Sequence, residues 1–318
     1  MRRSEQGAAL LTAMLTVTLV ATIASAALWQ QWRQIEIETA ERGRSQTAWM
    51  MTGALDWTRL ILLEDALSAK GANVDHLGEP WALPVQESKL STFLSQDQQW
   101  IEGDAEVFLS GQITDAQSRL NVMNLLENGQ ISAPALHGFE RLFERLNLPL
   151  QELQTLSRQL QAAAAATKSP GAPAASAPLM PQQTSQLVWL GLSPGTLAAL
   201  SNFITILPEA TPVNLNTAPA EVLMASLPGL DLAEARQWVA LRERGHLASL
   251  EAAKQALGAV GRNLRAGRHE VQSRYFEVTG RMRIDDVVQV EHLLVKREGN
   301  QVNMVWRVRS PVFVTRAP

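Results

Sequence analysis

The chain has 318 residues, a formal net charge of −3 and no cysteine. That length fits about two structural units, and the near-neutral charge argues against nucleic acid or an anionic membrane surface as the main partner. The missing cysteine excludes a disulfide framework, a thiolate metal site and a thiol nucleophile, so compartment must be read from the N-terminus.

Ala8 to Leu28 carries no charge, and as a helix it spans about 31 Å, roughly one bilayer core. Arg2 and Arg3 precede it, and Trp29 and Trp32 follow at interface depth. The positive-inside bias then puts the first residues in the cytoplasm and the rest outside. A cleaved secretory signal is the rival reading, with "ASA" at Ala24–Ala26 as its processing site. Against it, the leader "RRSEQG" is polar and ends in glycine, and helical sequence continues past "ASA" without a breaker. Met50, Ala54, Trp57 and Ile61 recur at helical spacing as one apolar stripe, with Glu36, Glu38, Glu41, Arg42 and Arg44 on the solvent side. The expectation is one continuous helix, half in lipid and half laid on a domain, with other faces near Trp49 and Gly53 open to partners.

"HLGEPWALP" (His76–Pro84) reads as a loop, and "DAEVFLSGQIT" (Asp104–Thr114) as a strand with Val107, Leu109 and Ile113 on one face. Far along the chain, "YFEVTGRMRI" and "QVNMVWRVR" alternate apolar and polar residues, and "VVQVEHLLVKR" lies between them. The short turns "DD" and "EGN" make these three an antiparallel meander. The intervening residues read as helical. Pro149 opens one helix, Ser193 caps "PGTLAALSNFI" with Pro194 at its first position, and Thr217 caps "APAEVLMASL". Asp231 and Glu234 form a capping-box pair, and Ser249 caps "LEAAKQAL", which stops at Gly258. Residues 167–186, rich in Pro, Ala and Ser, read as a mobile loop.

The basic leader ending in glycine, the apolar helix and its amphipathic extension resemble the class III prepilin signal of type IV pilins and type II secretion pseudopilins. By that resemblance a prepilin peptidase cuts between Gly7 and Ala8 and methylates the new amine of Ala8. Most such proteins carry glutamate as the fifth residue after the cut, and this chain has Thr12 there. In the family that glutamate neutralises a neighbour's terminal amine inside the membrane, where an uncompensated ion costs several kcal/mol. A subunit with Thr12 suits the tip, with no subunit above it. The loop around Trp81, the asparagine pairs Asn121/Asn124 and Asn214/Asn216, the helical insertion and the terminal meander extend the resemblance over nearly the whole mature chain, to the minor pseudopilin K family of type II secretion.

The resemblance implies an α+β fold: a pilin-like long N-terminal helix packed on an antiparallel sheet, with a large all-α domain inserted into the sheet. The implied segments are a leader at 1–7, a transmembrane and amphipathic helix at 8–70, the first part of the β-region at 71–116, the inserted helical domain at 117–268 and the C-terminal strands at 269–318. It implies minor pseudopilins I and J, other pseudopilins and the prepilin peptidase as partners. It also implies anchoring in the inner membrane through residues 8–28, with the bulk of the chain in the periplasm.

Residues 212–260 also resemble a helix-hairpin-helix module that binds DNA backbones. Gly229 fills its first glycine position, but Asp231 stands where the second is expected and would repel a phosphate. The span 212–265 holds five acids against six bases, so no basic face is present, and nucleic acid is not expected. The five histidines are scattered without zinc-protease spacing, and there is neither a phosphate loop nor a serine elbow. An enzyme is therefore not expected, and no cofactor is required. Calcium needs clustered oxygen ligands. Asp97, Asp104, Asp115 and Asn121 are the candidates, with Asp115 and Asn121 preferred.

Overall fold

The computed structural model describes residues 5–68, 74–89, 107–168, 178–284 and 287–313. It divides into two units, 1–54 and 55–318. The first is helical. Helix α1 runs Glu5–Ser68, and its stretch Ala9–Glu38 contains an 18-residue window with a mean hydropathy of 2.0. Among the described residues it is the one helix long and apolar enough to cross a membrane. Its hydroxyls turn back on the helix: Thr12 Oγ1 donates to Ala9 O at 3.0 Å and Thr16 to Ala13 O at 2.9 Å. Thr18 donates to Met14 O at 2.6 Å and Thr22 to Leu19 O at 2.8 Å. An unbonded hydroxyl in hydrocarbon is costly, and back-bonding to the preceding turn removes that penalty.

The second unit opens with the last turns of α1. Leu55 and Leu62 are buried there, and between their levels Arg59 Nε donates to Val302 O at 2.8 Å. The stripe expected through Met50, Ala54, Trp57 and Ile61 is displaced by one residue, about 100° of helix rotation: Trp57 is 46% exposed and Ile61 only half-buried. Arg59 and Asp65 flank Leu62 and must both reach the sheet for their hydrogen bonds, and that requirement sets the rotation.

The sheet is antiparallel and takes its strands in chain order: β1 (Val85–Lys89), β2 (Val107–Asp115), β3 (Tyr275–Ile284), β4 (Val287–Glu298) and β5 (Gln301–Phe313). Strand β1 was not expected, because "VQESK" is an edge strand that buries no apolar residue fully. The β4–β5 turn is two residues long and places Gly299 at φ +54°, the left-handed region favoured by glycine. Asp285 and Asp286 of the β3–β4 turn lie outside the described residues. In register, Val278 stands between Ile113 and Leu293, and Phe276 opposite Val295, all buried on the face that receives the end of α1.

Asp115, the last residue of β2, is the register partner of Phe276 near the start of β3. The chain therefore leaves the sheet and returns at adjoining positions, roughly 5 Å apart, so a long excursion leaves the ladder intact. That excursion holds α2 (Ala133–Arg145), α3 (Leu150–Lys168), α4 (Pro194–Leu200), α5 (Ala220–Ser226), α6 (Leu232–Arg244), α7 (Leu250–Ala256) and α8 (Gly258–Gly261). It folds around its own core, which includes Phe139, Leu142, Phe143, Leu156, Leu187, Leu215 and Leu223.

Among its described residues the insert also carries three two-residue ladders: Leu120–Asn121 with Ile204–Thr205, Leu126–Glu127 with Gln130–Ile131, and Val213–Asn214 with His269–Glu270. Each is too short for alternation to reveal it. Ser193 and Ser249 cap as expected, and Asp231 and Glu234 complete their capping box. Thr217 does not cap: Pro219 holds that position, and the threonine hydroxyl is drawn away to Asp115. The loop expected at 167–186 is shorter in its described parts, because Thr167 and Lys168 belong to α3 and Thr184–Leu190 form a 3-10 helix.

Candidate functional site

Gly7, Ala8 and Thr12 lie in the first turns of α1. The first acidic residue after Glu5 is Glu36, so the apolar stretch holds no carboxylate. Thr12 contributes only a hydroxyl, engaged with Ala9 O at 3.0 Å.

A buried polar node lies where α1, the sheet and the insert converge. Asp115 Oδ1 accepts the Gln117 N–H at 2.7 Å, and its Oδ2 accepts Asn214 Nδ2 at 2.9 Å, Thr217 Oγ1 at 2.5 Å and Ser273 Oγ at 2.6 Å. Burial raises the Asp115 pKa, and these four donors oppose the rise. Asp75 Oδ2 accepts the Ser273 N–H at 2.6 Å, and its Oδ1 pairs with Arg297 Nη2. Arg297 also reaches Asp65 at 2.8 Å and donates to Ser273 O at 3.0 Å, with its guanidinium 4.8 Å from the centre of the Phe276 ring. Burial pushes Asp75 up to about 6 despite the neighbouring Arg297. The node ties the exit and return of the insert to helix and sheet at once.

The loop around Trp81 joins the same junction. Trp81 is buried, packs edge-on against Phe276 with centroids 5.2 Å apart, and donates its indole N–H to Glu79 Oε2 at 2.6 Å. Glu79, pushed by burial up to about 7, also accepts the His76 N–H at 2.9 Å. The His76 ring stacks on His246 of the insert at 3.9 Å. On the other side of the sheet, Glu209 of the insert accepts from Tyr275 Oη at 2.8 Å and pairs with Lys296 at 3.0 Å.

The asparagine landmarks are joints between loops. Asn124 takes both backbone groups of Thr211, its Oδ1 accepting the N–H at 3.0 Å and its Nδ2 donating to the carbonyl at 2.8 Å. Asn216 does the same to Leu247, at 2.9 and 3.1 Å. Asn121 accepts from Met123 N and Leu207 N and donates to Glu209 O and Thr211 Oγ1. Asp115 and Asn121 share none of these hydrogen-bond partners, and a cation taking either would displace protein donors already in place. Asp97 and Asp104 lie outside the described residues. Among the described residues, Asp65, Asp75 and Glu79 bring carboxylate oxygens within 4.8 Å of one another, and Arg297 already pairs with the two aspartates.

The hairpin between α5 and α6 turns at Gly229, φ +86°. The amides a phosphate would need at the start of α6 are already taken: Asp231 Oδ1 accepts Glu234 N–H at 2.8 Å, and Glu234 Oε2 accepts Asp231 N–H at 3.0 Å. Helix α2 packs against α5 at Gly138, where a Cβ would meet Ala225 O at 3.1 Å. Arg141 Nη1 donates to Leu227 O at 2.9 Å, capping the end of α5. His269 Nδ1 accepts the Arg265 N–H, so Nε2 carries the proton and faces Ser226 O at 3.3 Å. Burial depresses this histidine to about 4, so it is neutral.

Residues 118–209 and 213–272 each match a family model described as type II secretion system, protein K. The two matched stretches contain nearly the whole helical insert and both asparagine pairs. The type II secretion system protein K of Pseudomonas aeruginosa is 28% identical over 310 residues, covering 91% of this chain and 88% of that protein. By these matches the chain is similar to the type II secretion system protein K family. Protein K of Klebsiella pneumoniae is 28% identical over 269 residues, covering 76% of each chain. The fold resembles that in a crystal structure of the GspK–GspI–GspJ complex from the enterotoxigenic Escherichia coli type 2 secretion system, with a TM-score of 0.56, 17% identity and coverage of 85% of this chain and 98% of that one. Together these similarities support a minor pseudopilin in type II secretion. Its apolar N-terminal helix fits a single membrane-spanning segment.

Sequence reasoning missed Asp75, Ser273 and Arg297 of the buried node. One signal was readable in "VVQVEHLLVKR": Glu291 and Arg297 share the parity of the buried Leu293 and Val295, so two charges sit at inward positions of a strand. Glu291 is fully buried and is clamped by Arg307 and Arg309 of β5 at 2.6 and 2.7 Å.

Proposed function

We propose that this chain is the tip subunit of a type II secretion pseudopilus, capping and initiating the filament that drives exported protein toward the outer membrane. The observation that carries the reading is Thr12: a hydroxyl satisfied by Ala9 O stands in a lipid-length stretch with no acidic residue between Glu5 and Glu36. Such a helix offers no carboxylate to the terminal amine of a subunit above it, and an unneutralised ion in lipid costs several kcal/mol. A position with nothing above it avoids that cost. The helical insert, with its own core, supports the same place, because it adds bulk to the sheet domain.

In this reading the leader is cut between Gly7 and Ala8 and the new amine of Ala8 is methylated. The N-terminus starts in the cytoplasm, the helix crosses the inner membrane, and the rest lies in the periplasm. Minor pseudopilins I and J are the neighbours beneath it, and the work is mechanical rather than catalytic. The chain has no cysteine, so a single cysteine at exposed Ser201 can carry a gold label. Label at one end of isolated pseudopili is the expected result, and label spaced along the shaft would refute the tip position.

A further inference from the structure

The insert holds an open cleft of about 800 Å³, lined by none of the residues of the buried node and within the size range of pockets that take ligands. The end of α5 forms its back and ties its two walls together. On one side α2 is fixed there by Arg141, which donates to Leu227 O at 2.9 Å and to Ala225 O. On the other side residues 263–269 are fixed by Asn263 Nδ2, which donates to Pro228 O at 2.7 Å, and by His269 facing Ser226 O at 3.3 Å. The buried side chains of Leu120 and Val213 line the cleft between the walls.

The two walls carry opposite charge. Glu140 and Glu144 stand one turn apart on α2, and Arg265 and Arg268 belong to the facing segment. Among the described residues none of these four is in an ion pair, and Arg265 is held in place by donating to Arg262 O at 2.6 Å. Side chains one helical turn apart are separated by about 6 Å, close to the roughly 6.6 Å between alternate residues of an extended strand. Successive side chains of such a strand point to opposite sides.

We propose that this cleft takes an extended segment of another polypeptide. Two basic side chains at alternate positions face Glu140 and Glu144, and an acidic side chain between them faces Arg265 and Arg268. A ligand charged with one sign only would lose on one wall what it gains on the other, so the paired walls select for alternation and not for net charge. The tip position is not needed for this site and does not follow from it.

The test is fluorescence anisotropy of labelled peptides at up to millimolar concentration with the full chain in detergent. Ala-Lys-Glu-Lys-Ala should bind, and Ala-Glu-Lys-Lys-Ala, of the same composition and charge, should bind about tenfold more weakly or worse. Arg268→Glu and Glu140→Lys should each weaken the first peptide by a similar factor, while Arg236→Glu, exposed on α6 outside the cleft, should leave it unchanged. A chain with Glu140→Lys, Glu144→Lys, Arg265→Glu and Arg268→Glu together should prefer Ala-Glu-Lys-Glu-Ala. Unchanged unfolding curves exclude misfolding of these surface variants. No binding of the first peptide to the wild-type chain, equal binding of the two isomers, or binding indifferent to the cleft reversals would each overturn the site. All of these results leave the place of the chain in the filament untouched, since the peptide is measured on the single chain.

Discussion

Replacing Arg297 by methionine isolates the electrostatics of the buried node. The guanidinium is 3% exposed, pairs with both Asp65 and Asp75, and lies over the Phe276 ring. Methionine keeps much of the apolar stem, so the main loss is the charge. Asp75 is then fully buried without its cation, and breaking a buried pair this way costs about 3–5 kcal/mol. The loss should depend on pH. Asp75 already titrates at about 6 instead of 3.8 with Arg297 present, so the folded state holds a proton that the unfolded chain releases. Stability from this group is highest below pH 3.8 and falls as pH rises through 6, by about 3 kcal/mol at 1.36 kcal/mol per pH unit. Without Arg297 the folded pKa rises further and the falling window extends upward. Urea unfolding of the full chain in detergent, followed by tryptophan fluorescence, should show Arg297→Met losing about 3–5 kcal/mol at pH 8 and clearly less at pH 5. Adding Asp75→Asn should restore part of the loss at pH 8. Equal losses at both pH values, with no recovery in the double variant, would refute the reasoning.

Trp81→Ala removes a fully buried ring and the donor held by Glu79, and should cost about 3–5 kcal/mol in the same unfolding assay. His269 is depressed to about 4 by burial, so it stabilises the fold above pH 6.5, and that stability is lost as pH falls toward 4. His269→Gln should remove about 3 kcal/mol of this acid dependence, seen as a flatter stability curve between pH 6.5 and 4. Gly7→Ala should block maturation, leaving the unprocessed chain in membrane fractions on a gel.

What was legible followed from local chemistry. The charge-free run after Gly7, the alternation of β3 and β5, and the caps at Ser193, Asp231 and Ser249 all act within a few residues of themselves. The rotation of α1 was not legible, because it depends on Arg59 meeting Val302, far away in the chain. Thr217 looked like a cap because its neighbours are right for one, yet a buried carboxylate from β2 outbids the helix for its hydroxyl. The node failed to show for the same reason: Asp65, Asp75, Asp115, Ser273 and Arg297 come from separate segments and no spacing links them. The asparagine pairs stand out in the sequence, but their purpose lies in the fold, where Asn124 and Asn216 each hold both backbone groups of a distant residue.

The intact mass of the mature chain, taken from isolated membranes, bears most directly on its place in a pseudopilus. The predicted product begins at a methylated Ala8 and stays with the membrane. A product that begins after Ala26 and is recovered in the soluble periplasmic fraction would contradict it.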